Sequence, residues 1–260
     1  MAKNNKKCNF EKLLDESLEK YYWLGFLLAD ASFKKTKEII IAISEKDKQH
    51  LLKLKDFLKI ENMHYNKKTK SFKIGGRDSL IFDTITKLYN IKSNKTYFPP
   101  ELGSIVEYNK IFSLIIGFID GDGCIKHLKN RPDCNLAIKC HSSWLETLKF
   151  FLELLYKDCE FKMPGVKNNN AGYANFTISN SVVLKKIKNK AIELNIPLLK
   201  RKWDKIDLSY IGRNERAQKN KIEIIRLLEE GKRNKYICQE LSIKPSALSS
   251  FIKLNNLKSE

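Results

Sequence analysis

Two aspartates each end a short apolar stretch, and the two stretches are alike. Residues 22–33 read YWLGFLLADASF and residues 113–125 read SLIIGFIDGDGCI, so that aligning their glycines brings Asp30 onto Asp122, 92 positions later. Two carboxylates brought together repel each other, and a divalent cation removes that cost. Mg²⁺ prefers oxygen ligands of this kind, completed by water and phosphate oxygens. The repeated acids therefore predict a divalent-metal site, provided that the two stretches lie side by side.

The apolar run before each acid has the length of a buried helix. A run of about nine residues is too short for a bilayer, which needs roughly 20. Gly25 and Ala29 are four residues apart, as are Gly117 and Gly121, so each pair shares one helix face. Small residues on facing sides let two backbones approach closely. An alternative is a pair of ordinary core helices with aspartates as end caps, but the repetition favours the paired site.

The two stretches resemble the motifs of LAGLIDADG homing endonucleases in their single-chain form. Residues 116–123, IGFIDGDG, are nearly the family pattern, whereas residues 24–31, LGFLLADA, depart from it at Leu28 and Ala31. The acid that is catalytic in the family is present in both copies. The resemblance covers about residues 17–210.

This resemblance implies a site-specific double-strand DNA endonuclease that cuts one phosphodiester per strand, as in intron homing. Asp30 and Asp122 would be the catalytic acids and, with the backbone carbonyls of Ala29 and Gly121, the metal ligands. The implied cofactor is Mg²⁺, with Mn²⁺ or Ca²⁺ as substitutes in binding. The implied partner is double-stranded DNA with a long asymmetric target site. Because one chain carries both motifs, a monomer is expected.

Family members also place a basic residue near each carboxylate, where it helps to stabilise the charged transition state. A lysine follows the last predicted helix of each half at the same spacing, Lys95 after Ile91 and Lys200 after Ile196. Lys95 and Lys200 are therefore the catalytic candidates of this type. Lys202 is the alternative in the second half.

The order of predicted elements is the same in both halves of the chain. Hydrophobic periodicity predicts a strand in residues 38–44, a helix in 45–60, a hairpin in 64–74 that ends at Gly75-Gly76, and a helix in 78–88. In the second half it predicts, in the same order, a strand in residues 136–140, a helix in 144–156, a hairpin formed by 160–167 and 172–179, and a helix in 182–194. This repeat predicts an α+β fold of two pseudo-symmetric αββαββα lobes with antiparallel sheets. The expected domains are a basic arm (1–16), a first lobe (17–105), a second lobe (106–212), and a linker with a small all-α domain (213–260).

The net charge of +19 argues for a polyanionic partner, and nucleic acid is the default. A merely soluble basic protein and a membrane-surface binder are the alternatives. The sequence shows no apolar run of membrane length and no secretory signal pattern, which predicts an intracellular protein in a compartment left open. Its six cysteines form no zinc motif and are expected to be reduced.

In the family that the motifs resemble, each sheet lies in the DNA major groove. A two-stranded ribbon fits that groove, and base edges there carry an unambiguous code. One face of each strand would then contact DNA, and a basic residue there is more often a phosphate contact than a base reader. The candidate contacts are Lys67, Lys68, Lys70, Lys73, Arg77, Lys139 and His141.

Residues after 213 are expected to form a basic linker over 213–221 and then three helices. The helices span 222–231, 236–241 and 245–254, and Pro245 suits the first position of the last one. The last two helices resemble a helix-turn-helix of DNA invertases and transposases, and a cap without DNA contact is the alternative. The candidates for the groove-facing side are Ser246, Ser249, Ser250 and Lys253.

Two other functions stay open at this point. Some proteins of the resembled family assist RNA splicing as maturases, which need the saddle-shaped sheets but not the metal site. A DNA-binding transcription regulator that uses the terminal helices is the other. The presence of both acids favours the nuclease.

Overall fold

The chain is described by a computed structural model, which covers residues 8, 10–127, 134–169, 171–209 and 213–255, with side chains of the last range from residue 219. The chain forms two compact units, Met1–Leu208 and Ser209–Glu260. The first unit contains both copies of the apolar motif.

The first half of this unit contains three helices and four strands. Its elements are α1 (Leu18–Asp30), β1 (Ser32–Phe33), β2 (Glu38–Ser44), α2 (Lys48–Phe57), β3 (His64–Asn66), β4 (Ser71–Arg77) and α3 (Ser79–Leu88). Ser17 caps α1 by accepting a hydrogen bond from the backbone N–H of Lys20, and Asp78 caps α3 in the same way.

The second half repeats the same order. Its elements are α4 (Tyr108–Asp122), β5 (Cys124–His127), β6 (Cys134–His141), α5 (Leu145–Tyr156), β7 (Lys167–Asn169), β8 (Tyr173–Ile178), α6 (Ser181–Glu193) and the short α7 (Lys200–Trp203). The α+β fold with two αββαββα halves is therefore confirmed. Each motif helix ends at its predicted aspartate.

Both halves contain a four-stranded antiparallel sheet of the same topology. The strand orders are β1-β2-β4-β3 and β5-β6-β8-β7. Alternate residues of β2 and β6 are buried, such as Ile41 and Ile138, while residues between them face outward. One face of each sheet thus covers the core, and the other is open.

Helices α1 and α4 form the centre of the first unit. Ten residues of each are buried, among them Trp23 and Phe118. Side chains from both sheets and from the helices that cover them complete one continuous core.

Several parts of the chain differ from the sequence-based expectation. The Gly75-Gly76 pair lies inside β4, opposite β2, and a Cβ atom on Gly76 would lie 2.7 Å from the Sγ of Cys8 and 3.0 Å from the ring of Phe10. Phe10 itself is buried, so the predicted arm over residues 1–16 includes core residues. Residues 160–166 form no strand, and β7 begins at Lys167. Residues 213–221 belong to a helix and not to an irregular linker.

The second unit is helical in its described part. It contains α8 (Arg213–Glu229), α9 (Asn234–Glu240) and α10 (Pro245–Leu254), with Pro245 at the start of α10 as expected. A small core of its own holds the helices together through Ile224, Leu227, Ile237, Leu248 and Ile252. Across the described residues of both units, no helix is long and apolar enough to cross a membrane.

Candidate active site

The two aspartates are brought together by the close packing of α1 on α4. A Cβ atom on Gly25 would lie 1.9 Å from the carbonyl oxygen of Leu114, and one on Gly117 would lie 1.9 Å from that of Tyr22. One turn further on, a Cβ on Gly121 would lie 2.2 Å from the Cβ of Ala29. The helices therefore run parallel with backbone against backbone, and both end at the same side of the unit.

Asp30 and Asp122 are the last residues of these helices. Both residues remain partly accessible to solvent. Partial burial, and next the nearby charge of Asp122, raise the pKa of Asp30 to about 6. Burial also raises the pKa of Asp122, and Lys95 and Lys202 oppose that rise. The charge of Asp122 thus opposes the ionisation of Asp30.

Lys95 lies at the site, as expected for one of the two candidate lysines. Its Nζ donates a hydrogen bond of 2.7 Å to the carbonyl oxygen of Ala29. Burial lowers the pKa of Lys95, and the charges of Asp122 and Asp30 counteract this. A cation is therefore held at the C-terminal end of α1, where helix carbonyls favour positive charge.

The equivalent position in the second half is occupied by Lys202 and not by Lys200. The Nζ of Lys202 donates to the carbonyl oxygens of Ile119 at 3.0 Å, Asp120 at 2.5 Å and Gly121 at 2.9 Å. The side chain is buried, whereas that of Lys200 is exposed. The geometry thus corrects the choice between the two lysines, because α7 turns its third residue towards α4.

A cavity of about 390 Å³ opens beside Asp122. Lys95 and Lys139 provide two cations in its wall, and the rest is largely aromatic or neutral. The other lining residues are Leu28, Ala29, Thr96, Cys140, His141, Trp144 and Tyr173. This cavity is suited to an anionic ligand that approaches Asp122.

A smaller cavity of about 220 Å³ lies beside Asp30. It is lined by Lys202 and by an ion pair between Arg201 and Asp47, whose Nε–Oδ1 and Nη2–Oδ2 distances are both 2.7 Å. The two acids therefore have unlike surroundings, since two further aspartates, Asp47 and Asp120, line the cavity at Asp30 and no further aspartate of the described residues lines the cavity at Asp122.

Sequence reasoning missed Asp47 and Trp144, although a signal was available. Each is the last residue of a one-turn 3-10 helix that follows the second strand of its half, Glu45–Asp47 and Ser142–Trp144. Each contacts the lysine-bearing segment of the other half, since the indole Nε1 of Trp144 donates to the carbonyl oxygens of Lys95 and Thr96. Aligning the two halves beyond the apolar motif would have paired these positions.

The residues at the helix ends fit a hard divalent cation. Two carboxylates and the carbonyl oxygens of Ala29 and Gly121 form a set of oxygen donors, which Mg²⁺ and Ca²⁺ prefer. A carbonyl oxygen that accepts from a lysine keeps a second lone pair. In the described parts of the chain, no group of three or more His, Cys, Asp or Glu side chains is arranged to hold a metal. A cation at this site would therefore depend on backbone oxygens, water and phosphate.

The candidate DNA contacts of the first half are all exposed. Lys67, Lys68 and Lys70 occupy the turn between β3 and β4. Lys73 and Arg77 lie on the open face of β4, opposite Ala42 and Glu38 of β2. The first strand of this sheet thus begins two residues after Asp30, and the open face of the sheet carries basic residues.

The second half places Lys139 and His141 on the outward side of β6. The Nζ of Lys139 lies 3.9 Å from the centre of the Tyr173 ring, and the ring of Tyr97 contacts that of His141 at 4.8 Å. Tyr97 and Tyr173 were not singled out from the sequence. They add half-exposed aromatic surface beside the cavity of Asp122.

In the second unit, the four predicted contact residues share the outward side of α10. Ser246, Ser249, Ser250 and Lys253 are exposed, while Leu248 and Ile252 face the small core. The amphipathic pattern of this helix is therefore as expected. DNA contact by these residues stays a prediction.

The solved structures to which this chain is similar include two-lobed LAGLIDADG homing endonucleases, the class that the two motifs resemble. No protein-family model matches the sequence, and no curated protein matches it either.

One of these structures is the I-LtrWI LAGLIDADG homing endonuclease bound to target DNA, with 18% identity over 92% of this chain and 98% of that chain, and a TM-score of 0.45. Another is I-SmaMI bound to uncleaved DNA target in the presence of calcium ions, with 11% identity over 92% and 99%, and a TM-score of 0.44. Full-length DUF199/WhiA from Thermatoga maritima matches with 15% identity over 92% and 90%, and a TM-score of 0.45. Similarity at this level leaves the function to be inferred from the chain's own residues.

Proposed function

We propose that this protein is a site-specific, metal-dependent endonuclease that hydrolyses one phosphodiester in each strand of a long double-stranded DNA target. The observation that carries the proposal is the pairing of Asp30 and Asp122 at the ends of two parallel, closely packed helices. Each acid faces its own cavity, and a lysine withdrawn from solvent lines each cavity. The site therefore contains two sets of an acid, a cavity and a lysine, as cleavage of two DNA strands requires.

The chain's own residues would perform three tasks. The carboxylates of Asp30 and Asp122, with the carbonyls of Ala29 and Gly121, would hold the divalent cation. When bound, Mg²⁺ would supply the means to activate water and to stabilise the departing 3′ oxygen. Lys95 and Lys202 would keep positive charge beside the reacting phosphates, where donors positioned in advance stabilise developing negative charge.

The open sheet faces are suited to bind the target. The chain has a net charge of +19, which favours association with the phosphate backbone. Lys73, Arg77 and Lys139 lie on the outward side of central strands, and a strand ribbon of this kind fits the major groove. Because both half-sites would be contacted by one chain with unequal halves, the target is expected to be asymmetric and the protein to act as a monomer.

The second unit would add a further contact to DNA. Ser246, Ser249, Ser250 and Lys253 line the outward side of α10, which follows a short turn after α9. Hydroxyl and ammonium groups of this kind bind phosphate oxygens and base edges. The unit would thus lengthen the site that is bound without taking part in cleavage.

The test is a cleavage selection on a randomised duplex library with Mg²⁺, followed by kinetics on a supercoiled plasmid that carries the selected site. Asp30→Asn and Asp122→Asn should each yield nicked plasmid only, with the nick in opposite strands, and the double variant should cut neither. Asp56→Asn, an exposed acid of α2, is the matched control and should linearise the plasmid like the parent.

Two outcomes would contradict the proposal. Linear product from both single variants at the rate of the parent would mean that these acids are not catalytic. No product from the parent, together with tight Mg²⁺-independent RNA binding, would favour a maturase. Titration calorimetry with Ca²⁺ provides a readout besides activity, because the double Asn variant should lose binding of the cation that the parent retains.

A further inference from the structure

Asp120 is a second acid of the second motif, and the proposed chemistry does not use its side chain. It is buried, with 1% of its surface exposed. Its Oδ2 accepts hydrogen bonds from the Tyr22 hydroxyl at 2.7 Å and the Leu199 backbone N–H at 2.8 Å, and its Oδ1 accepts one from the Trp203 indole at 2.6 Å. A buried carboxylate that accepts three hydrogen bonds from the protein has a structural role and is not free to bind a ligand.

Two of these donors belong to the segment that carries Lys202. Leu199 precedes α7 and Trp203 ends it, so the carboxylate of Asp120 holds both ends of this one-turn helix against α4. Between them, the Nζ of Lys202 reaches the carbonyls at the end of α4. The place of Lys202 in the cavity beside Asp30 therefore depends on the contacts of Asp120.

The third donor connects this arrangement to the first half of the chain. Since the Tyr22 hydroxyl donates to Asp120, its oxygen accepts from the Nε2–H of His50 at 2.7 Å. His50 is buried on α2, and Tyr22 is buried on α1. A continuous chain of hydrogen bonds thus runs from α2 through the helix pair to the lysine-bearing segment of the other half.

Lys95 is held in a different way. The first motif has Leu28 at the position of Asp120, and a leucine side chain accepts no hydrogen bond. The Lys95 segment is instead fixed by Trp144 of the second half, whose Nε1 lies 3.2 Å from the Lys95 carbonyl oxygen and 3.1 Å from that of Thr96. The two lysines therefore occupy equivalent positions in the two halves, but different side chains hold them there.

We propose that Asp120 is a positioning residue for Lys202, so that a change at Asp120 impairs the cleavage of one DNA strand and spares the other. This inference depends on the proposed endonuclease function. A general loss of stability would slow both strands alike, because both sites share the helix pair. The ratio between the two strand-specific nicking rates consequently separates positioning from a merely structural role.

The experiment compares Asp120→Asn with Lys202→Met and Lys95→Met in the full chain on a supercoiled plasmid, with the nicked strand identified by primer extension. Asp120→Asn should slow the strand that Lys202→Met slows by roughly tenfold to a hundredfold, as expected for misplacement of a catalytic group by about 1 Å. Cleavage of the other strand should stay close to the parent rate. Trp144→Phe should show the opposite preference and match Lys95→Met.

The inference is overturned if Asp120→Asn slows both strands equally or slows the strand that depends on Lys95. Should Asp120→Asn fail to fold, Trp203→Phe removes one donor while it keeps a ring, and its strand preference then decides the matter. A parent that cuts neither strand contradicts the proposed function itself.

Positioning can also be measured without cleavage. Acetylation of lysine amines followed by mass spectrometry should label Lys202 faster in Asp120→Asn than in the parent, because the side chain would be less buried. The labelling of Lys95 should be unchanged. Equal protection of Lys202 in both proteins would overturn the inference even if the protein were no nuclease.

Discussion

Arg201 forms a bidentate ion pair with Asp47, 154 residues earlier in the chain, and thereby joins the two halves beside Asp30. The side chain of Asp47 is 9% exposed and that of Arg201 is 48% exposed. Because a buried carboxylate suffers more from the loss of its partner than a half-exposed guanidinium, the two truncations are expected to differ.

Arg201→Met should lower the free energy of unfolding by about 1–3 kcal/mol, the cost of leaving a buried charged acceptor without its partner. Asp47→Asn should cost less, since the freed guanidinium can be hydrated. Urea denaturation monitored by tryptophan fluorescence measures both changes, and Lys200→Met is the matched control on the neighbouring exposed side chain. A larger cost for Asp47→Asn would contradict the assignment of Asp47 as the buried partner.

Gly25→Ala or Gly117→Ala should destabilise the first unit by about 3 kcal/mol or more, the upper range for overpacking a rigid core. The added Cβ would lie 1.9 Å from a backbone oxygen of the facing helix, which cannot rotate away. Gly103→Ala is the control, because no atom lies within 4 Å of the position that its Cβ would take. Chemical denaturation of the three variants checks this, and equal stabilities would mean that α1 and α4 are further apart.

Lys202→Met should reduce the rate of cleavage of the one DNA strand that depends on it by about a hundredfold, the usual effect of removing one group that stabilises developing charge. Lys200→Met should leave the rate close to that of the parent, since its side chain is exposed and Lys202 makes the contacts to α4. Single-turnover cleavage at saturating protein measures the chemical step. Equal losses in both variants would restore Lys200 as a candidate.

His50 should make the stability depend on pH. Burial lowers the pKa of this imidazole to about 3, below its usual value of 6.5, so that the unfolded chain binds the proton more readily. Its contribution is therefore present above the unfolded pKa and is lost as the pH falls towards the folded one. Between about pH 7 and pH 5 this loss amounts to about 2 kcal/mol.

The contribution of His50 can be isolated by comparison with His50→Gln, which does not titrate in this range. The difference in unfolding free energy between parent and variant should shrink as the pH falls. This comparison cancels the raised pKa values of Asp30 and Asp120, which act in the opposite direction. A difference that is independent of pH would contradict burial of a neutral imidazole.

Lys253→Gln should weaken binding of the selected DNA and reduce the slope of log K against log salt by about one, as for the loss of one phosphate contact. Cleavage of saturated complexes should be unaffected, because the second unit has no part in the proposed chemistry. Fluorescence anisotropy at several salt concentrations measures the slope. Lys149→Gln, on a helix that covers the closed face of its sheet, is the charge-matched control. Equal slopes for both variants would mean that α10 makes no phosphate contact through Lys253.

Much of the fold could be predicted because its signals are local. Strand β2 and helix α10 have the expected bounds, and both motif helices end at Asp30 and Asp122 as expected. Side-chain periodicity and helix-end signals act over a few residues, and the internal repeat then reveals the common architecture of the halves. Strand β7 was misplaced, because residues 160–166 carry apolar side chains that pack against the core without strand pairing.

The amino-acid sequence alone was enough to predict the two αββαββα halves and the pairing of Asp30 with Asp122, since the repeat relates these positions to one another. The place of Lys95 near the acids was expected from the family that the motifs resemble. The choice between Lys200 and Lys202 required the tertiary structure. These two residues point to different sides of a one-turn helix, and their spacing from Ile196 does not show which side faces α4. The partners of Asp47 and Asp120 required it too, since they come from segments 154 and 79 positions away. Contacts over such distances arise from the packing of the two halves, and no local pattern encodes them.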